Sequence, residues 1–194
     1  MKVPVQPFDG RIDVKILAAY APLLVIGSLS ACADDARQGA SSAIEKKEKQ
    51  SMFRKINEYI SVSPQITLED VTAAKAEGVT LIVNNRPDGE DPAAPQSADI
   101  EAAAKAAGIE YLAIPITHSG FSAPQVDAMI TALEGAKGKT LAYCRSGTRS
   151  TLLWSLAQAK KGVDGDEIAR LAGNAGYDIT PIRAMVDALS AGAQ

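Results

Sequence analysis

The chain has one histidine, two cysteines and one tryptophan in 194 residues, and aromatic residues make up only 5% of it. A site needing two histidines is therefore excluded, and without a CxxC pair or a Cys/His cluster there is no zinc set. Nor is there an excess of basic charge: 20 Lys and Arg stand against 23 Asp and Glu, for a formal net charge of -3 and a pI near 5.2. That balance leaves no basic face for a nucleic-acid partner. Long apolar runs are missing too. The run from Ile16 to Leu29 is interrupted by Pro22 and is short for a membrane span. What remains, 46% hydrophobic and 22% charged, is the composition of one soluble globular domain with some extra length. With so few aromatics its core must be packed from Ala, Val, Ile and Leu, which favours an α/β layout.

Residues 1–51 read differently from residues 52–194. Lys2, Arg11 and Lys15 precede the apolar run, which ends in Leu29-Ser30-Ala31-Cys32, the order of a bacterial secretory signal. This segment resembles a lipoprotein signal with Cys32 as the lipidated residue, followed by a polar tether from Ala33 to Ser51. On that reading the protein sits in the cell envelope, held to the membrane only by the lipid on Cys32. Asp9 and Asp13 fit a signal poorly. Lys47-Glu48 is compatible with a purine-rich ribosome-binding sequence, with only Lys49, Gln50 and Ser51 before Met52. On the second reading translation starts at Met52 and the protein is cytoplasmic.

From Phe53 onward strands and helices alternate. Tyr59 to Val62 reads as a first strand. Thr67, with Asp70 three residues on, opens a helix that ends at Gly78. Val79 to Val83 is a buried strand, followed by the turn-rich loop Asn84 to Pro92. Ser97 is expected to cap a second helix ending near Gly108. Tyr111 to Ile116 reads as a third strand, and Ser122 opens a helix carrying Val126, Met129, Ile130 and Leu133. Thr140 to Tyr143 is a fourth strand, Arg149 to Lys160 a helix around the core residue Trp154, and two more helices are expected at about Asp166 to Leu171 and Pro181 to Leu189. This pattern predicts a single parallel-type sheet of about four or five strands with helices on both faces. In such sheets ligands bind beyond the carboxyl ends of the strands, so Asn84 to Pro92, Thr117 to Phe121 and Cys144 to Ser150 converge there.

Of these loops, the last carries a nucleophile. Cys144 leaves a strand and Arg149 enters a helix, so several backbone N–H groups turn towards one point, and Gly147 allows close approach. The same field favours thiolate over thiol. Arg145 and Arg149 add positive charge suited to an oxyanion, Ser146 and Thr148 line the loop, and Ser150 is a candidate donor to the sulfur. A merely space-filling cysteine would need none of these neighbours. Arg86 and Asp88 fit a solvated turn as well as a functional loop, and His118 fits an ordinary loop histidine.

Three stretches, Tyr59-Ile60-Ser61-Val62-Ser63-Pro64-Gln65, Asn84-Asn85-Arg86-Pro87-Asp88-Gly89-Glu90 and Ala142-Tyr143-Cys144-Arg145-Ser146-Gly147-Thr148-Arg149-Ser150, occur in the order found in the beta-lactamase-hydrolase-like phosphatase-like family. The chain resembles that family, an offshoot of the dual-specificity and tyrosine phosphatase fold in which some relatives are labelled sulfur transferases. The resemblance implies a phosphatase-like fold and a cofactor-free, metal-free hydrolase. In it Cys144 attacks phosphorus, Arg149 and the loop amides bind the phosphoryl oxygens, and an acid protonates the leaving alkoxide.

Two departures widen the choice. Phosphatases of this fold place their arginine one residue later, where this chain has Ser150, and CxxGxRS spacing is similar to rhodanese. Where such phosphatases often carry an aspartate after the third strand, this chain has Thr117-His118-Ser119, leaving His118, Asp88 or Asp91 as the acid. The expected partner is thus a small anionic or phosphorylated substrate. The alternatives are a persulfide donor with a thiol acceptor, or non-catalytic anion binding.

Overall fold

A computed structural model of the chain describes residues 53–193. The expectations for the signal-like segment, for lipid on Cys32 and for a start at Met52 lie outside the described residues.

Local chemistry starts the first helix as anticipated. Thr67 Oγ1 accepts from the Asp70 N–H at 3.3 Å while the Asp70 carboxylate takes the Thr67 N–H at 2.8 Å. This reciprocal cap opens α1 (Leu68–Ala76). Gly78, at φ +85°, turns the chain into a strand. The strands are β1 (Arg54–Lys55), β2 (Ile60–Ser63), β3 (Val79–Asn84), β4 (Glu110–Ala113) and β5 (Lys139–Tyr143). They form one sheet in the order β1-β2-β5-β3-β4, all parallel except the short edge strand β1.

Alternation along the central strands separates two cores. Leu81 and Val83 pack on one face with Ile60, Val62, Ala142 and Trp154, while Ile82 packs on the other with Leu141, Tyr143 and Ile100. The second face is covered by α1 and α2 (Ser97–Ala106). The first is covered by α3 (Ala123–Gly135), α4 (Thr148–Lys160), α5 (Gly165–Asn174) and α6 (Arg183–Gly192).

Two expectations shift by small amounts. Ser97 is the first helical residue of α2 and Gln96 its cap. The Ser97 N–H is taken by Asp88 Oδ1 at 2.8 Å, and the Ser97 hydroxyl lies 2.7 Å from Tyr111 Oη. The strand expected through Ile116 stops pairing regularly at Ala113, because Pro115 has no N–H to donate. The Ile114 and Ile116 amides still bond to the Asn84 and Asn85 carbonyls at 2.8 and 3.1 Å. Residues 114–116 therefore remain tied to the sheet and carry the next loop to its edge.

Register brings the loops together. Tyr143 pairs with both Ser63 and Asn84, and Asn84 pairs with Ala113, so the four parallel strands end at one level. Among the described residues, no helix is long and apolar enough to cross a membrane, and no group of three His, Cys, Asp or Glu side chains is placed to hold a metal ion.

Candidate active site

Cys144 directly follows β5 and is fully buried, its N–H directed at the Ser63 carbonyl at 3.4 Å. The chain then turns back over its own side chain. Gly147 adopts φ +87°, a left-handed conformation that a side chain would strain, and caps α4. Its N–H donates to Cys144 Sγ at 3.1 Å. No side chain caps α4, so the positive end of the helix faces the sulfur uncovered. A hydrogen bond from Ser150 to the sulfur had been anticipated. Ser150 is buried, but its hydroxyl makes no hydrogen bond among the described residues, and the backbone amide of Gly147 takes that role as the loop folds inward. Ser146 Oγ donates to Thr148 Oγ1 at 3.1 Å, and Arg145, Ser146 and Thr148 are exposed around the loop.

Arg149 ties the cysteine loop to the loop after β3 and to the residue just before the Thr117–Phe121 loop. Its Nη1 donates to the Ile116 carbonyl at 2.8 Å, and its Nη2 meets both carboxylate oxygens of Glu90 at 2.9 and 2.8 Å. Glu90 Oε2 also accepts from Arg86 Nε at 2.7 Å. Two guanidinium groups thus share one carboxylate, and hydrogen bonding from Arg149 in the first place holds Glu90 below its usual carboxylate range. The residue was not singled out from sequence, although its position four residues after Arg86 was a usable signal for an ion pair.

Arg86 is buried, with its remaining donors directed to Gln65 Oε1 at 2.7 Å and towards Asp91 at 3.7 Å. It faces the bracing carboxylate of Glu90. Asp88 engages the start of α2, and Asp91 accepts from the Ala93 N–H at 3.1 Å. His118 is exposed in the turn closed by the Gly120 N–H on the Thr117 carbonyl, two residues beyond the Ile116 carbonyl that holds Arg149. Behind the loop, burial pushes the Tyr143 phenol far above its ordinary value.

The family described as Beta-lactamase hydrolase-like protein, phosphatase-like domain, matches residues 52–161. A beta-lactamase hydrolase-like protein of Xylella fastidiosa is 31% identical over 125 residues, covering 64% of this chain and 29% of its own length. The chain therefore spans less than a third of that curated relative. The crystal structure of a phosphatase candidate from Neisseria meningitidis is 32% identical, with a TM-score of 0.64, covering 73% of this chain and 99% of that one. P. aeruginosa TpbA, solved with phosphotyrosine, is 17% identical with a TM-score of 0.53 over 73% of this chain and 90% of its own, and shares the fold. Since the matched stretch takes in the cysteine loop and both loops that brace Arg149, the chain belongs to the phosphatase-like domain family of beta-lactamase hydrolase-like proteins.

Proposed function

We propose that the protein is a cysteine-dependent hydrolase of phosphate monoesters. The observation that carries this reading is the pairing of Cys144 Sγ with the Gly147 N–H at 3.1 Å beside an uncapped helix start and a braced Arg149. A phosphoryl group entering there meets amide donors, and Arg149, fixed by Glu90 and Ile116 five residues after the cysteine, adds positive charge, the combination that stabilises developing oxyanion charge. The Cys144 thiolate attacks phosphorus as the P–O bond to the leaving group breaks. The leaving oxygen takes a proton from His118. Water, giving its proton back to His118, then cleaves the S–P bond and releases inorganic phosphate. His118 is preferred as the acid because its side chain is exposed near the Arg149 anchor, whereas Glu90, Asp88 and Asp91 are engaged as acceptors within the loop after β3 and by Arg149. Phosphotyrosine on TpbA supports a phosphorylated side chain or similarly small ester as the substrate class.

Loop length alone favours a second reading, sulfur transfer through a Cys144 persulfide, since Arg149 follows the cysteine at rhodanese spacing. One assay pair separates them: phosphate release from p-nitrophenyl phosphate, and sulfite with thiocyanate from thiosulfate and cyanide. Phosphate release abolished by Cys144→Ser is expected. Thiosulfate turnover without phosphate release would replace the first reading with the second, and activity surviving the substitution would sink both. His118→Asn is expected to slow hydrolysis of alkyl phosphates by about a hundredfold, the ordinary worth of a general acid. It should slow p-nitrophenyl phosphate, whose leaving group needs little protonation, far less; equal losses on the two esters would remove His118 from the acid role.

A further inference from the structure

We infer that Tyr177 is a positioning residue for the Cys144 nucleophile: through the Ser146–Gly147 peptide it holds the Gly147 N–H on the sulfur. The inference rests on the reading of Cys144 as a thiolate nucleophile, and it places the control of that thiolate outside the stretch matched to the family, residues 52–161.

The geometry runs through one peptide unit. Tyr177 Oη donates to the Ser146 carbonyl at 3.2 Å, and the N–H of that same peptide, on Gly147, donates to Cys144 Sγ at 3.1 Å. In a trans peptide the C=O and N–H point in opposite directions, so a donor fixed on the oxygen aims the hydrogen at whatever lies on the far side. Here that is the sulfur. A hydrogen bond accepted by the carbonyl also polarises the amide, making its N–H a stronger donor to a developing thiolate.

The phenol is itself held firmly. Tyr177 is buried, its N–H bonded to the Ala172 carbonyl at 2.9 Å just after Gly176 turns the chain out of α5 at φ +81°. Arg54 of β1 lies over its ring, 5.0 Å from the centroid. Contact with the loop is close enough that a Cβ at position 147 would come within 1.9 Å of Tyr177 Oη, so the glycine is required by the phenol as well as by the turn. The charged or titratable groups facing the phenol are Arg54 and Cys144. Burial raises the phenol above its ordinary value against the opposing charge of Arg54, which keeps the donated proton on the oxygen.

Tyr177→Phe tests this in the full chain, with thiolate ultraviolet absorbance followed against pH and the Cys144→Ser protein as blank. Thiolate is expected to appear at higher pH than in the unmodified protein, with its fraction near neutrality reduced about threefold to tenfold, as suits the loss of one hydrogen bond. Arg54→Gln, which releases the ring and keeps the hydroxyl, should shift the curve less and in the same direction. Ser190→Ala is the structural control, since it removes a 2.7 Å hydrogen bond to the Val163 carbonyl in the same C-terminal segment. It should lower the melting temperature and leave the thiolate curve in place. An unmoved curve in Tyr177→Phe, or an equal shift in Ser190→Ala, overturns the inference. Because the absorbance needs no substrate, a shift seen without any phosphate release would leave the positioning role standing and bring down the hydrolase reading. No thiolate signal above the blank in the unmodified protein would bring down the nucleophile itself.

Discussion

The loop after β5 and the loop after β3 leave the same end of the sheet, from neighbouring central strands, but are built in opposite ways. In the first, residues 144–150, the contact at the sulfur is made by the backbone, a left-handed glycine replaces a side-chain cap, and Arg145, Ser146 and Thr148 are exposed. In the second, residues 84–97, side chains bind the loop's own backbone and one another. Asn84 Oδ1 takes the Arg86 N–H at 2.8 Å, Arg86 and Glu90 pair, Asp88 holds the Ser97 N–H, and Gln96 accepts from the Gly89 N–H and donates to the Ala94 carbonyl. One loop leaves its polar side chains at the surface, and the other uses its donors and acceptors to hold itself and Arg149 in place. Arg149 is where they meet: its Glu90 and Ile116 contacts fix the guanidinium from outside the cysteine loop.

The sharpest way to break this contrast is to put a side chain into the open loop. Gly147→Ala combines a φ of +87° with a Cβ 1.9 Å from Tyr177 Oη. Strain and overpacking of this kind cost about 1–3 kcal/mol each. Phosphate release should fall by more than about a hundredfold, the scale seen when one preorganised oxyanion donor is lost, together with a clear drop in melting temperature. Activity within a factor of about two of the unmodified protein would show that the amide is not a working donor.

A weaker break enters from the bracing side. Glu90→Gln leaves Arg149 and Arg86 facing a neutral amide, and an order of magnitude or more in kcat/KM should be lost, about the scale of a displaced positioning group. Glu90 is held below its ordinary range chiefly by Arg149, so its stabilising contribution is fully present above the unfolded glutamate value near 4.3 and is lost only as pH falls through the lower folded value. Melting curves should therefore show the widest gap between Glu90→Gln and the unmodified protein near neutrality, closing below about pH 4. A gap that widened on acidification would contradict the ion-pair account.

Much of the frame was legible in the sequence because its signals are local. Thr67 with Asp70, the apolar run Val79 to Val83, Ser122 ahead of α3, and a cysteine between strand and helix all depend on neighbours a few residues apart. The bracing was not legible, because it depends on which loops meet. Glu90 lies 59 positions from Arg149 and Tyr177 lies 31 from Ser146, and neither spacing has a period. The charge spacing Arg86 to Glu90 was visible, but only the fold shows that the same carboxylate also receives Arg149. Ser97 was misplaced by one position for a similar reason: its amide partner is the carboxylate of Asp88, nine residues back across a turn, so the local rule that a serine caps its own helix fails there.

Asp88 gives the smallest effect and separates the two loops most cleanly. If it acted on substrate, as one sequence reading allowed, Asp88→Ala would depress turnover and leave folding nearly untouched. Its carboxylate instead takes the Ser97 N–H at 2.8 Å, an amide in the first turn of α2 that the helix itself cannot satisfy. Removing that acceptor resembles removing a helix cap and should cost about 1 kcal/mol, seen as a fall of a few degrees in melting temperature. Turnover of p-nitrophenyl phosphate below the transition should stay within about twofold, because Glu90 still pairs with Arg149 without help from Asp88. Asp88→Asn, which keeps an acceptor oxygen and removes the charge, should recover most of the lost stability. If Asp88→Asn instead lost turnover while melting normally, the carboxylate would be working in the open loop after all, and the division between a ligand-binding loop and a bracing loop would have to be redrawn.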